Sequence, residues 1–455
     1  MRTRFISIRK VLPVLTMAFL LFAMSSCGDD ESAMPIADES VAAVAAENDN
    51  LSTFSELVSA NSSLASELNS AGNITVFAPT NDAFEDWLTM IGQTSIDDVP
   101  DEVIMDFLQY HVITSGTFFA ADLSNQAVAS AQGENIDISI SNGVTLNGAA
   151  MVTTPDIEAS NGVVHIIDEV LVPPSVEPII GSVAGVAYFN NNFTLLVQAL
   201  VKANLLSTVV DAQSNLTVFA PTNAAFTAAG ITNIENLSGP ELEDLLLYHV
   251  LNSTVQSAEL SDGQTVSTLN GDFYVSLNDN GAFINGNTEI TGFDISASNG
   301  IVHVIDLTLT PPSENLVDLA IAEGYNELAA ALTRAGLVLT LENDGPFTVF
   351  APTDQAFFDL YADLGVSSVD EIEVSTLQTV LLYHVINDRV FSTDLSDNLT
   401  VDPILEGNNT FTINLGAGVS ITDGSANTTE AAITATNELA TNGVIHEIDA
   451  VILPM

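Results

Sequence analysis

The sequence predicts an α+β fold in which three domains follow one another, each with its helices early and its strands late. Three observations lead to this fold class. The same three motifs occur in the same order three times within 455 residues. Each copy opens with apolar residues at helical spacing and continues with short alternating runs that are typical of strands. The copies recur every 131 to 143 residues, which suits a globular domain and is too long for a solenoid repeat.

The three motifs can be read directly from the sequence. The first is Thr-Val-Phe-Ala-Pro-Thr followed by Asn or Asp, and the second is Tyr-His-Val. The third is Asn-Gly followed by two β-branched residues and His, with an aspartate three positions after that histidine. The motifs begin at residues 75, 217 and 348, at residues 110, 248 and 383, and at residues 161, 299 and 442, respectively.

The second copy shows the predicted order of elements. Apolar side chains recur at helical spacing over residues 193–205, and residues 216–219 form a buried-strand pattern. Thr222 suits the N-cap of a second helix, and a third helix begins near Pro240. Strand patterns follow at residues 266–269, 273–277 and 301–305, with the hairpin signal Asn280-Gly281 between the last two. Helices followed by strands in one compact unit favour an α+β domain.

Together the motifs resemble the two signature blocks of the fasciclin domain family, with the Tyr-His pair between them. The resemblance covers about residues 51 to 454 and implies, for each copy, a β-wedge or sandwich flanked by helices. It also implies extracellular modules that serve adhesion or contact with a matrix. The prolines that end the first two copies place the domains at residues 51–174, 178–312 and 313–455.

The first 26 residues predict a signal peptide. A positively charged start is followed by an apolar run over residues 11–23, which is too short to cross a bilayer. The residues before Cys27, the single cysteine, resemble a bacterial lipobox, which implies that the thiol is diacylated and that residue 27 begins the mature protein. An ordinary secretory signal with an incidental cysteine is the alternative. We therefore expect an outer-membrane lipoprotein, held on the membrane by its lipid anchor alone.

The segment after the signal is rich in acidic residues, alanine and serine. It predicts a flexible tether over residues 27–50. The triplet Asp29-Asp30-Glu31 resembles the signal that sends Bacteroidetes-type lipoproteins to the outer face of the outer membrane. The expected location is therefore the cell surface.

The composition excludes several classes of function. With 59 Asp and Glu against 7 Lys and Arg, the net charge is −52, which makes nucleic acid a very poor partner. No nucleophile elbow, phosphate loop or zinc-ligand spacing is present in the sequence, and all six histidines belong to the motifs. We expect no enzyme activity, no cofactor and no built metal site. Diffuse binding of Ca²⁺ to acidic patches stays open.

Two sets of motif residues are candidate functional residues. In eukaryotic relatives the Tyr-His motif is implicated in integrin binding, although its apolar flanks equally suit a buried helix end. The His-Asp pairs of the third motif predict a structural role, with the histidine partly buried and the aspartate accepting a backbone N–H at the strand end. The candidate partner-binding residues are Tyr110, His111, Tyr248, His249, Tyr383 and His384. The structural pairs are His165 and Asp168, His303 and Asp306, and His446 and Asp449.

Three functions are compatible with these features. The leading hypothesis is a surface-anchored adhesion lipoprotein that binds a matrix or cell-surface protein or polysaccharide through several weak sites, because linked sites gain avidity. The alternative is a periplasmic or surface carrier of a small apolar ligand such as a carotenoid. The pairs Phe118-Phe119 and Phe357-Phe358 are the candidate lining of its cleft. A third hypothesis is a passive acidic coat.

Overall fold

The computed structural model describes residues 39–455, apart from residues 71, 344, 408, 417 and 426–429. The predicted signal peptide, residues 1–26, and the predicted lipidation site Cys27 lie outside the described residues. In the part of the chain that is described, every helix is too short or too polar to span a membrane. The chain folds as three domains of one architecture, which confirms the predicted α+β class and its three tandem copies.

Domain 1 has its helices in the first half of its sequence and most of its strands in the second half. Its helices are α1 (Val41–Ala46), α2 (Ser52–Ala60), α3 (Ser62–Asn69), α4 (Asn81–Ile91) and α5 (Asp101–Tyr110). Its strands are β1 (Ile74–Pro79), β2 (Val112–Ile113), β3 (Gln126–Ala129), β4 (Asn135–Ser139), β5 (Thr145–Leu146), β6 (Ala150–Ala159) and β7 (Gly162–Ile167).

Domain 2 repeats this order with a shorter helix after its first strand. Its helices are α6 (Val183–Tyr188), α7 (Thr194–Lys202), α8 (Leu206–Val209), α9 (Asn223–Ala228) and α10 (Gly239–Leu247). Its strands are β8 (Leu216–Pro221), β9 (Val250–Leu251), β10 (Gln264–Thr268), β11 (Gly271–Asn278), β12 (Gly281–Ile284), β13 (Thr288–Ala297) and β14 (Gly300–Ile305). Thr222 caps α9 by accepting the backbone N–H of Ala225, as its position predicts.

Domain 3 follows domain 1 closely in the lengths of its elements. Its helices are α11 (Leu316–Ala322), α12 (Asn326–Ala335), α13 (Val338–Asn343), α14 (Asp354–Leu364) and α15 (Val374–Tyr383). Its strands are β15 (Phe347–Pro352), β16 (Val385–Ile386), β17 (Leu399–Val401), β18 (Phe411–Leu415), β19 (Val419–Thr422), β20 (Ala431–Ala440) and β21 (Gly443–Ile448).

Each domain builds a seven-stranded sheet in which the first and last strands lie side by side. In domain 1 the order is β2-β1-β7-β6-β5-β4-β3, with β1 and β7 parallel and the other neighbours antiparallel. Both parallel strands are buried along their whole length, which fits their continuous apolar sequences. The first and third sequence motifs therefore meet at the centre of the sheet.

The sheet bends in its longest strand. The pairing of β6 with β7 is irregular between Thr154 and Ile157, where Asp156 has a φ of +60°. Asp294 in β13 and Asn437 in β20 have φ values of +58° and +64° at the same place. Asp and Asn tolerate this left-handed backbone conformation better than most residues. The bend turns one sheet into the wedge that the family resemblance implies.

Residues 39–50 fold with domain 1, so the prediction of a tether over residues 27–50 is wrong for this part. Val41 and Ala45 of α1 are buried in the core, and the backbone N–H of Val41 donates to Asn161 Oδ1 at 2.8 Å. The backbone N–H of Ser160 also donates to the carbonyl of Glu39. The segment resembles a linker in sequence because residues 28–50 consist mostly of acidic residues, alanine and serine. Its partner, the third motif, lies 120 residues further on.

Both joints between neighbouring domains are packed. One apolar cluster runs from domain 1 into domain 2, where Trp87 meets Phe189. Between domains 2 and 3, the Arg389 guanidinium lies 3.9 Å from the centre of the Tyr274 ring, and the Asn437 amide donates to the carbonyl of Gly286. These contacts hold the three domains as an array rather than as loosely linked units.

Candidate partner-binding and ligand-binding sites

The tyrosine of the Tyr-His motif is fully buried in each domain. Tyr110 ends α5 and its hydroxyl donates to the carbonyl of Asn135 at 2.7 Å, at the start of β4. Tyr248 and Tyr383 make the same bond, to the carbonyls of Asp272 and Thr410, at 2.8 Å. The side chain therefore ties the last helix of the helical half to the far half of the sheet.

The histidine of this motif uses both ring nitrogens inside the fold. His111 Nδ1 lies 2.7 Å from the carbonyl of Phe107, one helical turn earlier, and Nε2 accepts the backbone N–H of Leu171 at 2.8 Å. A donor on Nδ1 and an acceptor on Nε2 define the neutral imidazole. Burial lowers the pKa of His111 to about 4, and it does the same for His249 and His384. The rings of these two histidines have matching backbone partners in their own domains.

This placement corrects the candidate partner-binding role of the six Tyr-His residues. Each of them is at most 1% exposed, so a partner could reach them only by opening the domain. Their hydrogen-bonding groups are also occupied by the backbone of the same domain. The apolar flanks of the motif bury it because they belong to a helix end and to the short strand that follows it. The six residues are Tyr110, His111, Tyr248, His249, Tyr383 and His384.

The histidine of the third motif supports the bend of the sheet. His165 is fully buried and stacks on Phe77, with ring centres 5.4 Å apart. Its Nε2 lies 2.8 Å from the carbonyl of Phe118, and its Nδ1 accepts the backbone N–H of Asp156 at 3.2 Å. Burial lowers the pKa of His165. His303 and His446 make the same two contacts in their domains.

The aspartate of the third motif closes the hairpin between the last two strands. Asp168 accepts the backbone N–H of Met151 at 2.6 Å, and Asp306 and Asp449 accept those of Glu289 and Ala432 at 2.7 Å. This is the backbone-acceptor role that the sequence predicts at the strand end. In each pair the histidine thus contacts the bend of the long strand and the aspartate contacts the start of the same strand. The pairs are His165 and Asp168, His303 and Asp306, and His446 and Asp449.

The Asn-Gly pair of the third motif has two structural tasks that the sequence does not show. Asn161 Nδ2 donates to the carbonyls of Leu68 and Ser70, and its Oδ1 accepts from α1, so one side chain joins three segments. A Cβ at Gly162 would lie 2.0 Å from the carbonyl oxygen of Ile74. Only glycine allows the two central strands to approach this closely.

The described residues hold no cluster of three or more His, Cys, Asp or Glu side chains that could bind a metal ion. The motif histidines lie singly, each with backbone partners on both nitrogens. Within the same described ranges, the motif histidines are therefore bound to the backbone and are not grouped as metal ligands.

An apolar cavity lies inside domain 2, between α6, α7 and the sheet. Its volume is about 40 Å³, room for a few atoms but not for a carotenoid. None of the four residues in the Phe pairs predicted to line a ligand cleft lines this cavity. Phe118 and Phe119 are half-buried in domain 1, while Phe357 is in the core of domain 3 and Phe358 is 48% exposed. The cavity walls include Val183, Ala187, Leu196, Leu200, Leu246 and Val302.

Domain 3 carries an apolar groove on its surface, which we call the domain 3 groove. It lies between α14 and α15, and its volume is about 440 Å³. Leu364 in its wall is 54% exposed. The motifs do not predict this groove. The alignment of domain 3 with domain 1 is the signal that could have indicated it. Its lining includes Phe357, Leu360, Leu364, Ile372, Val380 and Leu453.

The fold and the motif geometry are those of one α+β module that is built three times. The chain belongs to the fasciclin domain family, whose sequence model matches residues 49–173, 191–311 and 323–454. The matches leave out the first helix of each domain, although that helix packs into the core.

Several curated proteins are similar to this chain. Transforming growth factor-beta-induced protein ig-h3 of Sus scrofa is 28% identical over 409 residues, which are 89% of this chain and 56% of that protein. Human periostin is 26% identical over 75% of this chain and 40% of its own length. Protein sll1483 of Synechocystis is 36% identical over 29% of this chain and 74% of its own. The chain thus spans about half the length of the first two relatives.

A solved structure of a FAS1 domain pair from the insect cell adhesion molecule fasciclin I is also similar. It covers 58% of this chain and 98% of its own, with 19% sequence identity and a TM-score of 0.26. The family assignment rests on the three sequence matches.

Proposed function

We propose that this protein is a lipid-anchored adhesion protein of the cell surface, which contacts a matrix or cell-surface protein or polysaccharide through several weak sites. The observation that carries the proposal is the presence of three fasciclin domains in one chain, matched over most of its length. The tyrosine and histidine side chains of their motifs are buried and hydrogen-bonded inside each domain. Recognition therefore falls to the outer surfaces of the array.

The packed joints support a multivalent mode of binding. Because α6 and the loop after it share a core with domain 1, and domain 3 is held by Arg389 and Asn437, the three surfaces keep a defined spacing. A defined spacing raises the effective concentration of the second and third sites when the first is bound. Avidity of this kind needs no strong individual contact.

The anchor is part of the same proposal. Acylation of Cys27 would hold the chain on the membrane, and residues 28–38 would link the anchor to domain 1. Removal of residues 1–26, which contain four Lys and Arg and no acid, changes the net charge from −52 to −56, which repels anionic headgroups and keeps the domains away from the bilayer and exposed to partners. The carrier alternative has a mixed basis, because the enclosed cavity in domain 2 is too small for a pigment, whereas Phe357 lines the larger domain 3 groove.

Protease treatment of intact cells tests the location. Cells that carry the protein are exposed to a protease, and an antibody against domain 3 reports what remains. Loss of the signal from whole cells is expected. Protection until the outer membrane is broken would refute surface adhesion and would favour a periplasmic role. A Cys27→Ser variant is the matched control, since it should be released from the membrane fraction.

Attachment assays test the function itself. Cells with the full chain are compared with cells in which the whole protein is deleted, on surfaces coated with matrix protein or polysaccharide. The full chain should raise the attached fraction. Equal attachment of both strains on every surface would contradict the adhesion proposal and would favour the passive coat.

A further inference from the structure

The joint between domains 1 and 2 shows how a fasciclin domain can receive another. Phe189 follows α6 of domain 2 and is completely buried. Its ring centre lies 6.3 Å from that of Trp87 in α4 and 6.4 Å from that of Phe107 in α5. Asn191 then donates to the carbonyls of Asp97 and Val99, between these helices. One aromatic side chain and one amide thus dock onto the α4–α5 face.

The domain 3 groove is the apolar part of the same face in another copy, because the carbonyl of Ile372, which matches that of Val99, already accepts hydrogen bonds from the Arg334 guanidinium. The first and second motifs are equally far apart in domains 1 and 3, so positions can be matched without gaps. The matched pairs are Trp87 and Leu360, Val99 and Ile372, and Phe107 and Val380. All three domain 3 residues line the groove, and every residue in its lining belongs to domain 3. The face that domain 2 covers in domain 1 is therefore left open in domain 3 by the rest of the described chain.

Domain 2 does not offer this face. Its α9 ends at Ala228, after six residues, whereas α4 and α14 have eleven. The joint with domain 3 instead uses Tyr274 and the loop at Gly286. The α4–α5 type of face thus occurs twice in the described chain, and only the copy in domain 1 is occupied.

Charge restricts what can occupy the free copy. The segment that docks onto domain 1 belongs to residues 178–210, which contain no Asp or Glu although the chain has 59 of them. Acidic side chains lie within and between the receiving helices in both domains. An acidic partner would be repelled, whereas an uncharged or basic one would not. Asp370 pairs with Arg334, and the other acids have no cation beside them in the sequence. The acids that neighbour the groove residues in the sequence are Asp359, Asp363, Asp370, Glu371 and Glu373.

The other helix ends of this chain do not match. The position of Phe189 after the first helix is taken by Glu47 in domain 1 and by Glu323 in domain 3. Phe189 itself is buried in its own joint. Residues 28–38 are acidic as well, with Asp29, Asp30, Glu31 and Asp38. The occupant must therefore come from a different protein.

We infer that the domain 3 groove binds a fasciclin-type domain of a partner protein, which inserts an aromatic side chain from the uncharged end of its first helix between α14 and α15. This contact repeats between two proteins the aromatic part of the joint of domains 1 and 2. It deepens the proposed function, on which it rests, by naming the binding face and the chemistry of the partner.

A peptide from the chain itself serves as the probe. Residues 181–194 contain the docking helix end and carry no charged side chain, and residues 39–52 are the matched acidic control with Glu47 in place of Phe189. Fluorescence anisotropy of each labelled peptide is measured against the full mature chain. The single tryptophan, Trp87, reports in the same experiment whether the peptide disturbs the joint of domains 1 and 2.

Two variants on the same helix decide where the peptide binds. Leu364→Glu places a charge in the groove and should weaken binding of the 181–194 peptide by about tenfold, because the apolar contact is lost. Phe358→Glu changes a similarly exposed side chain outside the groove lining and should leave binding unchanged. The 39–52 peptide should bind neither protein.

Each other outcome overturns the inference. Absence of binding, equal binding of both peptides, equal weakening by both variants, or a change in Trp87 emission on binding would show that the groove is not this site. These results concern the purified chain, whereas the attachment assay is made on cells. A negative peptide experiment would therefore refute the groove inference without refuting the adhesion proposal. A negative attachment assay would refute the adhesion proposal and leave the result of the peptide experiment unchanged.

Discussion

Replacing His249 with Gln should remove most of the pH dependence of the stability of domain 2 between pH 7 and pH 5. Burial lowers the pKa of His249 to about 4, from 6.5 in the unfolded chain. A histidine with a lowered pKa contributes stability that is present above the unfolded pKa and is lost as the pH falls toward the folded one. The window in which this loss occurs therefore runs from about pH 6.5 to about pH 4.

The magnitude follows from these two values. At pH 5 the unfolded chain is largely protonated at this site and the folded chain is not, which costs about 2 kcal/mol of domain stability relative to pH 7. Glutamine cannot titrate and can still bond with the carbonyl of Leu245 or the N–H of Leu309. Because glutamine makes only one of the two hydrogen bonds that histidine makes, the substitution should cost about 1 to 2 kcal/mol at every pH.

Domain 2 offers the cleanest measurement. Carboxyls with a raised pKa, Asp106 and Glu438, lie in the other two domains and oppose the histidine effect there. Within domain 2, hydrogen bonds from Ser238 and Ser257 lower the pKa values of Glu241 and Asp294, which matter only below about pH 5. The interval from pH 7 to pH 5 thus lies above the range in which these carboxyls titrate, and the difference between the variant and the wild type reports His249.

Hydrogen exchange read by mass spectrometry follows each domain within the full chain. The slowest amides of β8 and β14 give the opening free energy of domain 2 at each pH, after correction for intrinsic exchange rates. Domains 1 and 3, with His111 and His384 unchanged, are controls within the same molecule. If domain 2 of the variant lost stability between pH 7 and pH 5 as steeply as the wild type, the neutral buried imidazole would be refuted.

Three further predictions follow from single residues. Gly286→Ala should loosen the joint of domains 2 and 3, because a Cβ there would lie 2.6 Å from Phe391 Cβ and the backbone φ at this position is +71°. Solution scattering should show a larger radius of gyration, and an unchanged radius would contradict the prediction. Tyr383→Phe should cost domain 3 about 1 to 2 kcal/mol in hydrogen-exchange stability, because the hydroxyl donates to the carbonyl of Thr410 and accepts the backbone N–H of Gly424. No loss would show that these two bonds contribute nothing. Asn299→Ala should cost domain 2 about 3 kcal/mol, because the Asn299 amide joins the N–H of Val183 to two carbonyls at the end of α8 and just beyond it. Hydrogen exchange should become faster in α6 before the rest of the domain. A uniform increase across the domain would contradict this order.

The sequence correctly indicates features that depend on neighbouring residues. The N-cap at Thr222, the helix start near Pro240 and the hairpin at Asn280-Gly281 are local, and the structure has each of them. The role of Asp168 as a backbone acceptor is also correct, because it acts on the adjacent strand of its own hairpin. Short-range chemistry of this kind needs no knowledge of the rest of the chain.

The errors concern contacts between distant parts of the chain. Residues 39–50 resemble a tether because the partner of α1 is Asn161, 120 positions away. The Tyr-His pairs resemble binding residues because their apolar flanks do not show whether a helix end faces the core or a partner. Their burial depends on segments that follow α5 in the chain, at Asn135 and Leu171.

The sequence by itself determines the number of domains, the order of helices and strands and the family, since three repeated motifs carry that information locally. Only the tertiary structure decides that the first and last strands pair, that the histidines of the Tyr-His motif are buried and neutral, and that one face of domain 3 is uncovered. The physical reason is that a side chain's surroundings are set by segments brought together across about 100 residues, whereas caps and turns are set by the next three or four.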